Sequence, residues 1–267
     1  MPEPQNTNQT NIRLNKFLAE RLGVSRREAD ELISTGKITI NGGPAKTGVK
    51  IDKNDKVCYN DKTIPFEVKY SYIALNKPIG YVCSRHAQGS APTLYELLPK
   101  KYQKLKTVGR LDKDSSGLIL LTNDGDFAYQ MTHPKFRKQK IYEVELDKPL
   151  EPLHQQMISD FGVLLDDGPS RFTVIRNEQA SPLLRGFRSA AARELAPAAR
   201  GDGPAGRDPK ETVTPARYIV TLTEGRNRQI RRTFAALGYE VTKLHRTRFG
   251  KFELGDLESG KVQEISV

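Results

Sequence analysis

Two short helices are predicted near the start of the chain, where apolar residues recur every three or four positions. The first carries Leu14, Phe17, Leu18 and Leu22 on one face, and Gly23 is expected to end it. The second begins with a capping box at residues 25–28, in which a serine and a glutamate satisfy each other's backbone amides. Its apolar face and closing glycine follow at Ala29, Leu32, Ile33 and Gly36.

Alternating apolar and polar residues then predict a small sheet. Ile38 and Ile40 flank a polar residue, and the Asn-Gly-Gly sequence at 41–43 is typical of a turn. Short strand-like pieces follow at Val49, Ile51 and Val57. We therefore predict a first domain over residues 11–70, made of two helices and a small sheet.

A second, larger domain is predicted over residues 71–267. Strand patterns lie at 72–75, 118–121, 142–146 and 218–222, and residues 229–237 form a helical pattern that Gly238 ends. Strands dominate without a regular alternation of strand and helix. The predicted fold class is therefore α+β, with the small domain followed by a mixed, mainly antiparallel sheet.

One segment of the second domain, residues 181–214, lacks any regular apolar pattern and is rich in Ala, Arg, Gly and Pro. We interpret it as a flexible basic insertion. It either closes over a bound partner or is inert, and we favour the inert alternative because lengthening a loop costs little stability.

The net charge of +11 and the sequence pI of about 9.5 indicate a polyanionic partner. The alternative is a basic protein with no nucleic-acid role. The two cysteines form no CxxC pair and the four histidines show no ligand spacing, so neither a disulfide framework nor a metal site is expected. Without a signal peptide or a long apolar run, the expectation is a soluble cytoplasmic protein.

The densest polar motif, residues 109–117, directly precedes a predicted buried strand. It places Asp112 between Arg110 and Lys113, whose charges favour the ionised carboxylate. An ionised aspartate in a basic cleft suits a nucleophile or an electrostatic stabiliser. On spacing alone, the favoured alternative is a loop aspartate that merely pairs with its neighbours.

Further cations cluster in three places. Four arginines lie in the motif 224–232, where they suit phosphates or, alternatively, form a solvated helix face: Arg226, Arg228, Arg231 and Arg232. Basic residues including Arg246 alternate with aromatics at 243–252, a pattern that suits flipped bases. The third cluster surrounds the first two helices, where a bound anion or plain solvation explains Arg13, Lys16, Arg26 and Arg27.

The motifs at 14–17, 25–30 and 36–42 resemble the small RNA-binding domain named after ribosomal small-subunit protein S4. This resemblance implies binding to structured RNA through the helix face that carries the arginines. The motifs at 109–112, 116–118 and 122–125, supported by 76–80 and 224–232, resemble the ribosomal-RNA branch of the pseudouridine synthases. That resemblance spans nearly the whole chain except the insertion.

The second resemblance implies roles for individual residues. Asp112 corresponds to the catalytic aspartate, and Tyr142 to a tyrosine that contacts the base and is a candidate proton acceptor. Arg231 corresponds to the arginine that pairs with the aspartate, and Arg110 to the residue that holds the flipped nucleotide's place. Lys77 belongs to a family motif and is grouped with the RNA-binding residues, without a chemical step. In isolation, Tyr142 is better interpreted as a half-buried strand tyrosine.

The implied activity is isomerisation of a uridine to pseudouridine in ribosomal RNA, with the large subunit expected. No cofactor and no metal are expected, the implied partner is ribosomal RNA or a pre-ribosomal particle, and a monomer is expected. One alternative is an RNA-binding assembly factor without activity, which would not need Asp112, Tyr142 and Arg231. Another is a methyltransferase, but the sequence has no cofactor-binding glycine motif.

Overall fold

The computed structural model describes residues 11–177 and 216–267, so the predicted insertion at 181–214 lies outside the described residues. The N-terminal part contains two helices and six short strands: β1 (Ile12–Arg13), α1 (Leu14–Leu22), α2 (Arg26–Ser34), β2 (Ile38–Ile40), β3 (Gly43–Pro44), β4 (Lys50–Ile51), β5 (Val57–Tyr59) and β6 (Lys62–Thr63). Strands β3, β2, β5 and β6 form one sheet in that order, and β1 pairs with β4.

Both predicted N-terminal helices are confirmed. The amide of Glu28 donates to the Ser25 hydroxyl at 3.1 Å, and the amide of Ser25 donates to the Glu28 carboxylate at 2.6 Å, as the capping box requires. Gly23 ends α1 in the left-handed conformation. The apolar faces of the two helices and the small sheet enclose one core of buried residues: Leu14, Phe17, Leu18, Ala29, Ile33, Ile38, Ile51, Val57 and Ile64.

The larger part is built on one extended sheet. Its strands and helices are β7 (Tyr72–Lys77), β8 (Lys106–Val108), β9 (Ser116–Thr122), α3 (Gly125–Thr132), β10 (Lys140–Leu146), α4 (Pro152–Gln156), β11 (Val163–Leu165), β12 (Gly168–Ser170), β13 (Thr173–Arg176), β14 (Ala216–Leu222), α5 (Gln229–Ala236), β15 (Val241–Phe249), β16 (Phe252–Glu253) and β17 (Val262–Glu264). Single helical turns occupy Leu94–Leu97, Lys100–Tyr102, Pro134–Phe136 and Met157–Phe161.

The main sheet has nine strands and confirms the predicted fold class. Its order is β13-β14-β10-β15-β9-β7-β17, with β16 added to β15 and β8 added to β9. All its pairings are antiparallel except that of β15 with β9. Apolar side chains cover both faces in two separate clusters, one of which contains Tyr142, Ile230 and Phe234 and the other Leu118, Phe127 and Phe249. None of the described helices is both long and apolar enough to cross a bilayer.

The structure contains one helix that the sequence pattern did not predict, and it corrects one expectation. The helix is α3, which Asp124 caps by accepting hydrogen bonds from the amides of Asp126 and Phe127. The stretch 243–252, interpreted as a basic patch, is largely β15, which lies between β10 and β9 in the sheet. A central strand buries alternate side chains whatever their charge, and this decides which of its cations reach solvent.

The parallel pairing of β15 with β9 needs a glycine at position 117. Gly117 lies opposite Arg246 in the register and has a φ of +102°. A β-carbon there would lie 2.6 Å from the Arg246 amide nitrogen, and closer still to its carbonyl oxygen. Both the dihedral angle and the close backbone approach exclude other residues.

Candidate active site

The loop between β8 and β9 brings Asp112 to the wall of a pocket of about 370 Å³. Strands β10 and β15 and the segment before α5 form the other walls. A pocket of this volume is within the range that small organic ligands fill. The polar residues that line it are Arg110, Asp112, Ser115, Thr132, Lys140, Tyr142, Arg226, Asn227, Arg228, Gln229 and Arg246.

Lys77, predicted to contact RNA, is instead fully buried behind this loop. Its ammonium donates to the carbonyl oxygens of Pro78 at 3.0 Å, Asp112 at 3.0 Å and Ser115 at 2.7 Å. Burial lowers the pKa of the Lys77 ammonium. The expectation of RNA contact is therefore wrong, because the ammonium is buried and donates its hydrogen bonds to the turn that carries Asp112.

We expect Lys77→Met to destabilise the protein by about 3 kcal/mol, since three carbonyl oxygens lose the hydrogen bonds that they accept from a buried ammonium. The loop at 112–115 would then hold Asp112 less firmly, and the turnover rate should fall with little change in RNA affinity. Denaturant unfolding and single-turnover kinetics measure the two effects. Lys148→Met, which removes an exposed cation, is the control and should change neither. An unchanged unfolding midpoint for Lys77→Met would contradict the bracing role.

The carboxylate of Asp112 is about one-third exposed, and its closest cation is Arg228, 3.9 Å away. Arg231 was expected to pair with Asp112, but its Nε lies 3.3 Å from the carboxylate of Asp114, and it donates to the Asp114 carbonyl at 2.8 Å. Arg228 also grips Asp114 with two hydrogen bonds, at 3.1 and 3.0 Å. The expected pairing of Arg231 with Asp112 is therefore wrong, because Arg231 pairs with Asp114 instead.

Asp114 acts as an anchor for both arginines beside the candidate catalytic residue. Burial works to raise its pKa, but the hydrogen bond from Arg228 and the charge of Arg231 outweigh burial and hold the pKa below its usual value. Arg231 is well buried and also donates to the carbonyl oxygen of Val241 on β15 at 2.7 Å. The arginines thus tie α5 and β15 to the loop that carries Asp112.

Tyr142 and Arg246 face each other across the pairing of β10 with β15. Both are buried, with exposed fractions of 8% and 2%. The guanidinium of Arg246 donates to the Leu118 carbonyl at 2.7 Å and lies 3.5 Å from the Tyr142 hydroxyl. Arg246 was predicted to bind RNA. The strand turns its side chain into the wall of the pocket, so only a group that enters the pocket can reach it, and the expected contact stays a prediction.

Three more of the predicted RNA-binding cations are already paired with carboxylates of the protein. Lys16 lies 2.6 Å from Asp126 and so joins the N-terminal domain to α3. Arg226 lies 2.9 Å from Asp167 and donates to backbone oxygens of the β11–β12 hairpin. Arg232 pairs with Asp166 and Asp167. These charges are paired with carboxylates within the fold, as is that of Arg228 with Asp114. Their expected role on RNA stays a prediction.

The remaining predicted RNA-binding residues are exposed. Arg26 and Arg27 occupy the first turn of α2, Arg13 precedes α1, and Arg110 lies at the rim of the pocket. Within residues 11–177 and 216–267, no carboxylate approaches any of the four within 4 Å. Their charges are therefore available to an external anion.

Lys140 is a charged pocket residue that the sequence did not single out. It lies two positions before Tyr142 on β10, so strand alternation places both on the same side. Its Nζ donates to the Glu224 carbonyl at 3.2 Å. Burial, together with the charge of Arg246, lowers the pKa of Lys140 to about 8. The two-residue spacing from Tyr142 was the signal in the sequence that could have identified it.

Comparison with known families gives this pocket a context. Residues 71–236 match the family described as RNA pseudouridylate synthase, and residues 12–57 match the S4 domain. The chain belongs to the RNA pseudouridylate synthase family. Members of such a family isomerise uridine to pseudouridine in RNA, and this protein is an RNA pseudouridine synthase.

Similar proteins extend the match to almost the whole length of this pseudouridylate synthase. The ribosomal small subunit pseudouridine synthase A of Pasteurella multocida is 33% identical over 258 residues, which cover 96% of each chain. The protein of the same name from Haemophilus influenzae is 32% identical, again over 96% of each chain. A crystal structure described as a pseudouridylate synthase superposes with a TM-score of 0.59, at 30% identity and 96% coverage of both chains.

Proposed function

We propose that this enzyme isomerises one uridine of small-subunit ribosomal RNA, free or in a pre-ribosomal particle, with Asp112 as its catalytic carboxylate. The observation that carries the assignment of Asp112 is its position on the wall of the pocket that Tyr142 also lines. The choice of RNA is supported by relatives named for the small subunit. The large-subunit RNA expected from the sequence finds no support in these relatives.

The chemistry requires one bond to break and one to form. When the bond between N1 of uracil and C1′ of ribose breaks, positive charge develops on the sugar, and the carboxylate of Asp112 either stabilises it or attacks C1′. The uracil ring leaves with the bonding electrons, turns, and bonds to C1′ through C5. If Asp112 has bonded to C1′, that ester bond breaks in the same step and the carboxylate leaves with its electrons. A proton then leaves C5, with Tyr142 or water as acceptor, and N1 gains one. No atom is added or lost.

The target base must first leave its stack, at a cost of a few kcal/mol. Arg110 is exposed at the rim of the pocket, next to Asp112. In our proposal its side chain occupies the space that the flipped uridine vacates. The exposed arginines of α2 hold the surrounding RNA through its phosphates.

The direct test is to map pseudouridines in ribosomal RNA from cells with and without this protein. We expect one small-subunit position to lose its pseudouridine when the protein is absent, and to regain it with the wild-type protein but not with Asp112→Asn. If the lost position lies in large-subunit RNA, the proposed substrate is wrong. If no position changes in either RNA, ribosomal RNA is not the substrate.

For the N-terminal domain we expect the double variant Arg26→Ala/Arg27→Ala to bind substrate RNA about tenfold more weakly at physiological salt. Because two phosphate contacts are lost, the slope of log affinity against log salt should fall by about two. The maximal single-turnover rate should not change. Lys53→Ala/Lys62→Ala removes the same charge from exposed positions of the same domain and serves as control. Equal effects of the two double variants would show that only net charge matters.

A further inference from the structure

Two cations line the same pocket without a carboxylate partner, and the charge of one lowers the pKa of the other. Lys140 is 9% exposed and Arg246 is 2% exposed, and both line the pocket. Among the residues that the structure describes, no carboxylate lies within 4 Å of either. Burying two unpaired like charges together destabilises a fold, so this arrangement calls for an anion to compensate it.

Arg246 has unused hydrogen-bonding capacity. Its Nε donates to Leu118 and its Nη1 to Tyr142, but its Nη2 is buried and has no partner. Such a buried donor carries the penalty of a lost hydrogen bond unless a ligand satisfies it. The guanidinium carbon lies 4.9 Å from the centre of the Phe249 ring.

Lys140 is similarly underused. Its ammonium donates only to the carbonyl of Glu224 and lies 5.4 Å from the centre of the same Phe249 ring. The carboxylate of Glu224 is nearby but is engaged by Arg226 and Gln229. Burial beside the Phe249 ring leaves the ammonium poorly solvated, which strengthens its electric field on any group that enters the pocket.

The anion that fits this position is the detached uracil ring. The phosphates of a flipped nucleotide stay with the RNA strand, where the exposed Arg110 and the half-exposed Arg228 meet them at the rim. Only the ribose and the base can reach side chains as deeply buried as Arg246. A ring that leaves with the bonding electrons carries a full negative charge spread over N1 and its two carbonyl oxygens, which accept hydrogen bonds from N–H donors.

We propose that Lys140 and Arg246 form a preorganised cationic pair that stabilises the negative charge of the uracil ring while it is detached from the sugar. This inference rests on the proposed function, because it names the groups that stabilise the negative ring, whose charge the negative carboxylate of Asp112 cannot stabilise. Asp112 balances the positive sugar, and the cationic pair balances the negative ring. When C5 bonds to C1′ and the C5 proton is replaced by one at N1, the ring is neutral again and the pair loses its ligand.

The test distinguishes two anions that the cationic pair could bind. The detached uracil ring is negative only during the reaction, whereas a phosphate is negative throughout in the bound RNA. Lys140→Met keeps the length of the side chain and removes its charge. We expect the single-turnover rate at saturating RNA to fall about 100-fold, a loss typical for removal of one electrostatic stabiliser, with RNA affinity unchanged within about twofold. Lys140→Arg should recover at least about tenfold of that loss. Lys148→Met, just beyond the end of β10 and exposed, should behave as wild type.

A second variant guards against misfolding. Lys140→Gln keeps a donor for the Glu224 carbonyl and removes the charge, so it should fold as the wild type does and show the same loss of rate. RNA carrying 5-fluorouridine at the target position adds a readout that a structural role would not move. Fluorine withdraws electrons and stabilises the ring anion, so the defect of Lys140→Gln in consuming this substrate should shrink to about tenfold or less.

Each contrary outcome is distinct. Weaker RNA binding with a shallower salt dependence and an unchanged maximal rate would mean that the pair binds a phosphate, and would overturn the proposal. An unchanged rate and affinity in a folded Lys140→Gln, or equal defects with uridine and 5-fluorouridine, would also overturn it. If the wild type forms no pseudouridine in small-subunit RNA, the proposed substrate fails, whereas an active wild type with an equally active Lys140→Gln refutes this inference alone.

Discussion

Asp112→Asn is expected to abolish pseudouridine formation, with a loss of at least about 10⁴-fold in the single-turnover rate. Asparagine has nearly the same shape, but it can neither attack C1′ nor offset the positive charge that develops there. RNA affinity should be unchanged within about twofold, because the exposed arginines of α2 and Arg110 are untouched. Tritium release from C5 of labelled uridine, followed over time with enzyme in excess, measures the rate.

Asp114→Asn is the matched control, because it makes the same change two residues further along the same loop. The Asp114 carboxylate is gripped by Arg228 and Arg231, so its loss should loosen the anchoring of those arginines. We expect a slower enzyme, by about tenfold, and a lower stability, by about 1 kcal/mol. If Asp114→Asn proved inactive while Asp112→Asn remained active, the catalytic assignment would move to Asp114.

Gly117→Ala is expected to produce the largest loss of stability of any single substitution considered. The alanine β-carbon would overlap the backbone of Arg246, and the φ of +102° is unfavourable for any side chain. Neither obstacle can be relieved without separating β15 from β9. We expect a loss of about 4 kcal/mol, which lowers the melting temperature by roughly 10 °C.

The control for this substitution is Gly238→Ala, at the end of α5. Gly238 also has a positive φ, of +80°, but its missing β-carbon would meet nothing within 4 Å. It isolates the dihedral penalty, of about 1 kcal/mol. Equal melting temperatures for the two variants would show that the contact between β9 and β15 can relax, and that the sheet tolerates more room at position 117 than the structure indicates.

The sequence was sufficient for elements whose causes are local. Helix α2 could be predicted from its capping box at Ser25 and Glu28, and α1 from the spacing of its apolar residues. Both signals lie within a few residues of the helix itself. The alternation in β10 and β14 was equally clear. Helix α3 was missed because its cap, Asp124, belongs to an Asn-Asp-Gly sequence that reads equally well as a turn.

The candidate site divides in the same way. Motif resemblance was enough to single out Asp112 and Tyr142, and the structure puts both on one pocket. The pairing of arginines with aspartates depends on the path of the loop after β8 and on the position of α5. Asp112 and Asp114 lie two residues apart and are near the same arginines. The local sequence does not show which of the two pairs with Arg231.

The role of each cation could not be predicted from the sequence. Lys77 and Arg246 look like surface charges in the sequence, but interior strands of the sheet carry both inward. Lys77 donates to the loop that carries Asp112, and Arg246 reaches the pocket wall. The charge, the motifs and the periodicity of the chain thus predicted a two-domain RNA-binding α+β protein. Whether a given cation meets RNA, a carboxylate or the interior depends on contacts between strands far apart in sequence, and those arise only when the sheet assembles.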